Sequence, residues 1–161
     1  MSEAHPPLPM PAVGTACPDF SITIQDGSVR SKADYAGHRL AIYFYPKDAT
    51  PGCTAQACSL NDGYDALRAA GIAVLGVSPD PVKSHVKFID KHGLRFDLGA
   101  DTEQKMHRDF GVWGWKKFMG RAYEGTLRTT FLIEADGTIA AVLDKPDTKN
   151  HAQEVLSAFA G

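Results

Sequence analysis

The sequence lacks a strong excess of charge and a long apolar run. Its 17 lysines and arginines nearly balance 19 aspartates and glutamates, for a formal net charge of −2 at pH 7, so no broad basic surface indicates nucleic-acid binding. No segment approaches the roughly 20 apolar residues of a membrane-spanning helix. Residues 1–11 are polar and proline-rich, without the apolar run of a secretory signal. We therefore expect a cytoplasmic protein with no membrane and no nucleic-acid partner.

Cysteines are few, and their spacing excludes two common arrangements. The chain has three, Cys17, Cys53 and Cys58, which form no Cys-x-x-Cys exchange motif. In the reducing cytoplasm a cysteine pair is more often redox-active than structural. The six histidines are scattered, and no Cys/His group has zinc-like spacing, so the sequence predicts no metal and no cofactor. His85 and His92 stand seven residues apart on one predicted helix, which favours an exposed face over a ligand pair.

The length and composition are typical of one globular domain with a real core: 161 residues, 43% hydrophobic and 22% charged. Residues 1–12, with prolines at 6, 7, 9 and 11, are interpreted as a flexible leader. Residues 13–161 are interpreted as a single domain, because no internal repeat or second unit is visible.

Apolar patterns predict both strands and helices. Strands are expected at residues 19–25, 28–32, 40–45, 72–78 and 96–98, followed by a hairpin of residues 129–134 and 138–143. Helices are expected at residues 51–71 with a weak point at Asn61-Asp62-Gly63, at 81–93 with Val82, Val86 and Ile89 inward, at 102–111 capped by Thr102, and after the cap Asn150. Residues 112–125 are predicted to be a glycine- and aromatic-rich loop. This order indicates an α/β protein with an N-terminal β-hairpin and a mixed central sheet flanked by helices.

One strand, turn and helix start place a cysteine where it can react. The apolar strand Leu40–Tyr45 ends at Pro46, which cannot donate to a strand ladder. Thr50 is a good N-cap and Pro51 suits the first helical position, so Cys53 falls in the first turn. There the unpaired N–H groups and the helix macrodipole favour a thiolate. Cys53 is a candidate nucleophile, and a buried structural cysteine remains an equally good interpretation of its location alone.

The motif Pro46-x-x-x-Thr50-x-x-Cys53, with Cys58 five residues further along the same helix, resembles the peroxiredoxins. Within them it is similar to the bacterioferritin-comigratory-protein or Q-type branch. The likeness extends through two further segments, FGVWGWKKFMGRAYEG (residues 110–125) and RTTFLIEADG (residues 128–137). It covers the chain from about residue 13 to the end and implies a thioredoxin-like fold.

The resemblance assigns roles to three residues around the start of the helix. Cys53 would be the peroxidatic cysteine, whose thiolate attacks a hydroperoxide and becomes a sulfenic acid. The hydroxyl of Thr50 would bond the sulfur and the bound peroxide in addition to capping the helix, since a hydroxyl both donates and accepts. Pro46 would shield the thiolate from water in addition to ending the strand.

The resemblance also assigns a cation and a second cysteine. Arg128 would lie beside the peroxidatic sulfur and hold the peroxide with its fixed donors. Otherwise Arg128 is a solvated surface charge, and Arg121 or Lys117 would supply the cation. Cys58 would be the resolving cysteine that forms an intramolecular disulfide, although its spacing also suits a small helical hydrophobe. Cys17 is interpreted as a packing residue without a catalytic role.

Two further features beside the motif carry expectations. The large apolar side chains of the 110–125 segment are interpreted as packing around a loop near the active site: Trp113, Trp115, Phe118 and Met119. Trp115 stands where relatives tend to carry a charged or polar residue. Gln56 stands inside the cysteine pair, where an acidic residue is frequent in relatives, so a negative charge near Cys53 is absent.

The hypothesis that follows is a thiol-specific peroxidase for hydrogen peroxide and organic hydroperoxides. It would act through a Cys53 sulfenic acid and a Cys53–Cys58 disulfide, would be recycled by thioredoxin or a similar dithiol donor, and would be a monomer. Two alternatives remain: a general thiol–disulfide oxidoreductase that uses the same cysteines, and a non-enzymatic redox-sensing or holdase module.

Overall fold

The computed structural model describes residues 9–160, with the backbone alone for Phe118. Its strands are β1 Ser21–Ile24, β2 Val29–Ser31, β3 Arg39–Phe44, β4 Ile72–Ser78, β5 Asp97–Ala100, β6 Trp113–Phe118, β7 Arg121–Thr126, β8 Thr129–Ile133 and β9 Ile139–Leu143. Its helices are α1 Pro51–Asp62, α2 Tyr64–Ala69, α3 Val82–His92, α4 Lys105–Asp109 and α5 His151–Ala160, with a short 3-10 helix at Lys32–Tyr35. No helix within residues 9–160 has both the length and the apolarity that crossing a membrane requires.

Seven strands form one mixed sheet in the order β2-β1-β5-β4-β3-β8-β9, while β6 and β7 form a separate two-stranded ribbon. Strand β3 runs parallel to β4, and β4 to β5, whereas the remaining pairs of the large sheet are antiparallel. The predicted N-terminal hairpin is present as β1 and β2. These findings confirm the predicted α/β class and mixed central sheet. Because β3 lies inside the sheet and α1 follows it, the start of α1 lies at the end of a central strand.

Side chains alternate along β3 and enter two apolar clusters, one on each face of the sheet. One cluster contains Tyr43 of β3 and, from α1, α2, α3 and α5, the side chains Leu60, Leu67, Phe88 and Val155. The other contains Ile42 of β3 and, from β1, α4 and β8, the side chains Ile24, Met106 and Phe131. Each such buried side chain stabilises the fold by about 1.5–3 kcal/mol relative to exposure. The sheet and the first cluster together fix the position of α1.

A break between α1 and α2 falls at Gly63, as the turn-forming residues there predict. A Cβ at Gly63 would lie 2.5 Å from the Cβ of Ala152 in α5, a distance that no real side chain tolerates. Glycine therefore allows the end of α1 to press against α5. The carbonyl of Asn150, the predicted cap of α5, accepts from Glu154 N in the first turn of that helix.

The predicted loop at residues 112–125 is wrong, because most of this segment forms the β6–β7 ribbon. Its two-residue turn consists of Met119 and Gly120, with φ values of 52° and 80°. Both central residues of a type I′ turn have such positive φ values. Asparagine before glycine is a sequence signal for this turn, whereas methionine before glycine is not. The outer side chains are also exposed, so no buried face gives the alternation that reveals a strand.

The predicted inward face of α3 is wrong for Val86, whereas Ile89 packs against the first apolar cluster as predicted. His85 and Phe88 are buried, whereas Val86 is 39% exposed. His85, which the spacing placed on an exposed face, has no exposed surface. Its Nδ1 lies 2.7 Å from the Asp48 carboxylate and its Nε2 3.0 Å from the carbonyl oxygen of Gly99. Hydrogen-bond partners that are distant in the sequence thus turn the His85 face of α3 toward the core, although its apolar pattern predicted another face.

Helix α4 begins at Lys105 rather than at the predicted cap Thr102. The carboxylate of Asp101 accepts hydrogen bonds from the backbone N–H groups of Met106 and His107. These bonds satisfy first-turn donors that the predicted threonine cap was expected to satisfy. The preceding residue, Gln104, has a φ of 58° and delays the helix start.

The buried histidine of α5 makes the stability of the fold depend on pH. His151 Nε2 lies 2.8 Å from Thr130 Oγ1, and its Nδ1 lies 2.9 Å from the Glu154 carboxylate. Burial lowers the pKa of His151 below its ordinary value of 6.5. The folded state therefore favours the neutral ring, and the unfolded chain binds the proton first as the pH falls.

We expect the free energy of unfolding to decrease from about pH 7.5 to about pH 5 as the unfolded His151 becomes protonated. His151→Gln, which keeps a hydrogen-bonding group but does not titrate, should reduce this decrease. Urea unfolding at both pH values measures it, with His38→Gln, a change at an exposed histidine, as the control. A decrease that is equal in wild type and His151→Gln would contradict the assignment.

Candidate active site

Cys53 lies at the third position of α1, directly beyond the end of β3, and has no exposed surface. Pro51 occupies the start of the helix as predicted. Thr50 is the N-cap residue, but its hydroxyl does not cap the helix and instead donates to the carbonyl oxygen of Lys47 at 2.9 Å. The predicted side-chain cap is therefore wrong, because the hydroxyl closes the turn before the helix. Pro46 is half-buried in the same turn.

Arg128 reaches the sulfur from the neighbouring strand. Its Nη2 lies 3.2 Å from Cys53 Sγ, and its Nη1 donates to Gln56 Oε1 at 2.6 Å. Strand β8 begins at Thr129, which pairs with Phe44 at the end of β3. This register places Arg128, the residue before β8, next to the start of α1, so strand pairing positions its guanidinium beside Cys53. Sequence reasoning named Arg128, and the structure brings it together with Cys53.

The surroundings of Cys53 favour negative charge on its sulfur. A guanidinium within hydrogen-bond distance stabilises the thiolate directly, and the first-turn N–H groups of α1 add the positive end of the helix dipole. The guanidinium also lies against Gly52, whose Cβ position is 3.4 Å from Arg128 Nη2. The arrangement can thus hold a thiolate away from bulk water beside a fixed cation.

Gln56 was singled out only as the place of a missing acid, and the structure gives it a contact role. It is fully buried, one turn after Cys53, and its side-chain oxygen orients Arg128. Within residues 9–160 its Nε2 and the hydroxyl of Tyr43 are buried without a hydrogen-bond partner. Burial, and then the charge of Cys53, raise the pKa of Tyr43 well above its ordinary value of 10.0, so its hydroxyl stays protonated.

Lys116 of β6 is a second cation beside the site that sequence reasoning missed. Its Nζ donates to the carbonyl oxygen of Thr126 at 2.9 Å. Partial burial, and then the charge of Arg128, lower the pKa of Lys116, while the charge of Cys53 opposes that shift. The one sequence feature that could have identified Lys116 as a site residue is its position within the 110–125 motif. The fallback cations Lys117 and Arg121 lie exposed on the ribbon.

An open groove runs past the guanidinium. Its lining comes from the start of the described chain, the ribbon, the connection into β8 and the loop after β9, and consists of Met10, Lys116, Leu127, Arg128, Thr129, Asp144, Lys145 and Pro146. This groove gives a small molecule a way to the charged side of the cysteine site.

Cys58 lies on the same continuous helix as Cys53, but the two are not in bonding geometry. Five residues of α-helix separate them by about 7.5 Å along the axis and by roughly 140° around it. A disulfide needs Cα atoms within about 7 Å and converging Cβ directions. All three cysteines of the chain are free thiols. Burial, and then the charge of Asp62, raise the pKa of Cys58 above its ordinary value of 9.0.

Cys17 lies apart from the other two cysteines. It belongs to the apolar cluster on the opposite face of the sheet from Cys53. It is 3% exposed, and burial raises its pKa to about 11. Its Sγ donates to the carbonyl oxygen of Pro18 at 3.4 Å. These surroundings suit an inert, packed thiol.

A buried polar network holds the turn that leads into α1. Ligand atoms of Asp48, Asp80 and His85 lie within 4.8 Å of one another. Asp48 accepts from the hydroxyls of Tyr45 and Ser84 as well as contacting His85. Its backbone N–H donates to the Asp80 carboxylate at 2.7 Å. Protein donors thus occupy these carboxylates, and the network fixes the turn before the cysteine helix.

The aromatic ribbon differs from the prediction of packed side chains. Trp115 is 71% exposed and Met119 is 86% exposed, so packing around a loop is wrong for both. Trp113 is half-buried and meets the ring of His107 edge to face. The side chain of Phe118 lies outside the described residues.

Comparisons with known proteins agree with this fold and site. Residues 13–142 match the AhpC/TSA family. The chain is 46% identical to Peroxiredoxin Bcp of Escherichia coli over 144 residues, 89% of this chain and 92% of that protein. It is 39% identical to Peroxiredoxin Bcp of Bacillus subtilis over 147 residues, 91% and 94% of the two chains.

Solved structures give the same result. Peroxiredoxin Q of Xanthomonas campestris superposes with a TM-score of 0.82 at 37% identity, over 88% of this chain and 89% of that one. A variant of PrxQ from Xylella fastidiosa superposes with a TM-score of 0.86 at 30% identity, over 93% and 98%. A thioredoxin-like sheet with a cysteine and an arginine at the ends of its central strands thus defines the class, that of thiol-dependent peroxidases. The chain belongs to the AhpC/TSA family of peroxiredoxins, and its relatives here are of the Bcp and Q type.

The contact between Arg128 and Cys53 predicts a strong effect of removing the guanidinium. Arg128→Ala should slow oxidation of Cys53 by hydrogen peroxide by about 100-fold, comparable to losing one preorganised donor. Stopped-flow oxidation measures this rate. Arg121→Ala, the same change on the exposed ribbon, should leave the rate unchanged. Equal behaviour of the two variants would move the cationic role away from Arg128.

Proposed function

We propose that this protein reduces hydrogen peroxide and organic hydroperoxides with Cys53 as the peroxidatic residue. The observation that carries the proposal is the 3.2 Å contact between Arg128 Nη2 and a fully buried Cys53 Sγ in the first turn of α1. Membership of the peroxiredoxins supplies the reaction class. The bacterioferritin comigratory protein of Xanthomonas campestris has alkyl peroxide reduction activity, which supports the organic substrates.

In the first step the Cys53 thiolate attacks the terminal oxygen of the hydroperoxide. The S–O bond forms as the O–O bond breaks, and the leaving oxygen takes a proton to give water or an alcohol. Arg128 stabilises the charge that moves from sulfur to oxygen, because its donors are already in place. Thr50 supplies a hydroxyl to the bound peroxide after turning from Lys47, and Pro46 keeps water from the sulfur.

In the second step Cys58 attacks the Cys53 sulfenic acid, which gives a disulfide and water. The helical separation of the two cysteines requires α1 to unwind between them. Oxidation itself favours this movement, because a neutral sulfenic acid loses the charge that Arg128 holds. The unwound turn then presents the disulfide to thioredoxin or a similar dithiol.

Three further properties belong to the same proposal. Residues 13–161 act as one peroxiredoxin domain. The protein acts as a monomer, since both cysteines of the cycle lie on one helix. It works in the cytoplasm, where a dithiol donor is available, and needs neither a membrane nor a nucleic acid.

The first test is a steady-state assay with hydrogen peroxide and a thioredoxin system. Wild type should turn over, Cys53→Ser should be inactive, and Cys17→Ser should remain close to wild type. Substantial turnover by Cys53→Ser would contradict the mechanism. Disulfide reduction without peroxide consumption would identify a general oxidoreductase instead, and one stoichiometric oxidation without recycling would identify a sensor or holdase.

The second test concerns unwinding of α1. In the oxidised protein, amides from Ala55 to Leu60 should exchange with solvent faster than in the reduced protein, because the disulfide breaks their helical hydrogen bonds. Hydrogen exchange on both forms measures this, with mass spectrometry confirming the Cys53–Cys58 bond. Strand β1, whose buried side chains lie in the apolar cluster on the opposite face of the sheet, is the internal control. Equal protection of Ala55 to Leu60 in the two forms would exclude local unfolding.

A further inference from the structure

The side chain of Cys58 faces a histidine on the neighbouring helix. Its Sγ lies 3.8 Å from Nδ1 of His92 in the last turn of α3. The His92 ring is held by an edge-to-face contact with Phe88, at 5.1 Å between ring centroids and 74° between planes. The imidazole is therefore a positioned neighbour of the thiol rather than a freely moving surface group.

The end of α1 is clamped to the end of α3. Asn61 Nδ2 donates to the carbonyl oxygen of Gly93 at 3.0 Å, and Asn61 Oδ1 accepts from Arg95 N at 3.0 Å. Arg95 also donates from Nη2 to the carbonyl oxygen of Asn61. These bonds lie within four residues of Cys58 and directly beyond His92. They preserve the contact between the two side chains when another part of α1 moves.

The start of α1 has a different attachment. The side chains of Cys53 and Gln56 are bound to Arg128, and the Cys53 contact weakens once the sulfur loses its charge. Cys53 therefore moves toward Cys58, while Cys58 stays beside His92. The resolving reaction takes place next to the imidazole.

Cys58 needs help to become a thiolate. It lies in the interior of the helix, away from the first-turn N–H groups that assist Cys53. Asp62 stands one turn further on, and its negative charge opposes ionisation of the Cys58 thiol. The nucleophile in disulfide formation is the thiolate, so a base beside Cys58 accelerates the step.

We propose that His92 is the general base for the resolving step. This inference rests on the proposed role of Cys58 as the resolving cysteine. His92 Nδ1 takes the proton of the Cys58 thiol, and the thiolate attacks Sγ of the Cys53 sulfenic acid. The S–S bond forms as the S–O bond breaks. The departing hydroxide takes a proton from the imidazolium and leaves as water, so His92 returns to its neutral form.

Few charged groups compete for this role. The ionisable neighbours of the pair are Asp62 on α1, Tyr43 on β3, whose hydroxyl stays protonated, Asp65 on α2, which is paired with Arg95 at 3.1 Å, and Lys91 beside His92. Carboxylates are weak bases at neutral pH, and the cations are protonated. Helix α5 faces the end of α1 through Ala152, which carries no charge. Among these neighbours, a histidine is the group suited to accept a proton at neutral pH.

The main test is a single turnover of the full chain with one equivalent of hydrogen peroxide. Acid quenching and intact-mass spectrometry follow sulfenic acid as a gain of oxygen and disulfide as a loss of two hydrogens. In His92→Asn, sulfenic acid should form at the wild-type rate, which also establishes that the variant is folded. Disulfide formation should slow by about 100-fold, the lower end for general base catalysis. His38→Asn, at an exposed histidine outside the helices, is the matched control and should leave both rates unchanged.

A second measurement reports the reactivity of Cys58 without peroxide. In a chain with Cys17→Ser and Cys53→Ser, Cys58 is the remaining thiol, and its alkylation by iodoacetamide can be followed against pH. With His92 present, the rate should be appreciable at neutral pH. With His92→Asn, it should fall about 10-fold at neutral pH and rise with hydroxide concentration, as an unassisted thiol does. A loss of packing alone would not change this pH profile in that way.

The outcomes separate the inference from the function beneath it. If Cys58→Ser still forms an intramolecular disulfide at the normal rate, the resolving role of Cys58 is wrong. If Cys58→Ser stops at the sulfenic acid but His92→Asn forms the disulfide at the wild-type rate, only the role of His92 is wrong. Slower disulfide formation with an unchanged alkylation profile would also overturn it, because His92 would then act on helix movement and not on the thiol proton.

Discussion

The contact between the Arg128 guanidinium and the Cys53 sulfur is the interaction on which the site depends. Removing a thiolate from water is costly unless an opposite charge and hydrogen-bond donors replace the lost hydration. The pairing of β3 with β8 brings the cation, and the start of α1 brings the sulfur and its unpaired N–H groups. Gln56 accepts a hydrogen bond from the other guanidinium nitrogen, Nη1, so this donor of the partly buried cation also has a partner. Two central strands and one helix start thus converge on a single charge.

This charge also links the chemistry to the stability of α1. The first half of α1 is bound through the Cys53 sulfur and Gln56 to Arg128. Its last turn is hydrogen-bonded to the end of α3 through Asn61, and the following Gly63 packs closely against α5. In the proposed mechanism, oxidation of Cys53 weakens the first attachment and leaves the second in place. The two ends of α1 therefore differ: its start can detach from Arg128, while its end stays attached to α3 and α5. A local opening needs only the loss of the contacts at one end.

Local signals in the sequence were sufficient for the strand, turn and helix around Cys53, and for the break at Gly63. They act through neighbouring residues, since proline, glycine and a helix start shape the chain where they stand. His85 was placed on the wrong face because its partner, Asp48, lies 37 residues away. The β6–β7 ribbon was missed because its outer faces are exposed and its turn contains methionine. Lys116 belonged to a recognised motif, but only the fold brings it beside Arg128.

The two cysteines of α1 show how one helix can give the same side chain two reactivities. Cys53 has a guanidinium and a helix start beside its sulfur, and both offset the cost of burying a negative charge there. Cys58 has a nearby carboxylate and no helix terminus, so its thiol resists ionisation. A thiol that stays protonated does not compete for peroxide. In the proposed mechanism, the reactivity of Cys58 then depends on His92 and on the arrival of the Cys53 sulfenic acid, so the two steps follow in that order.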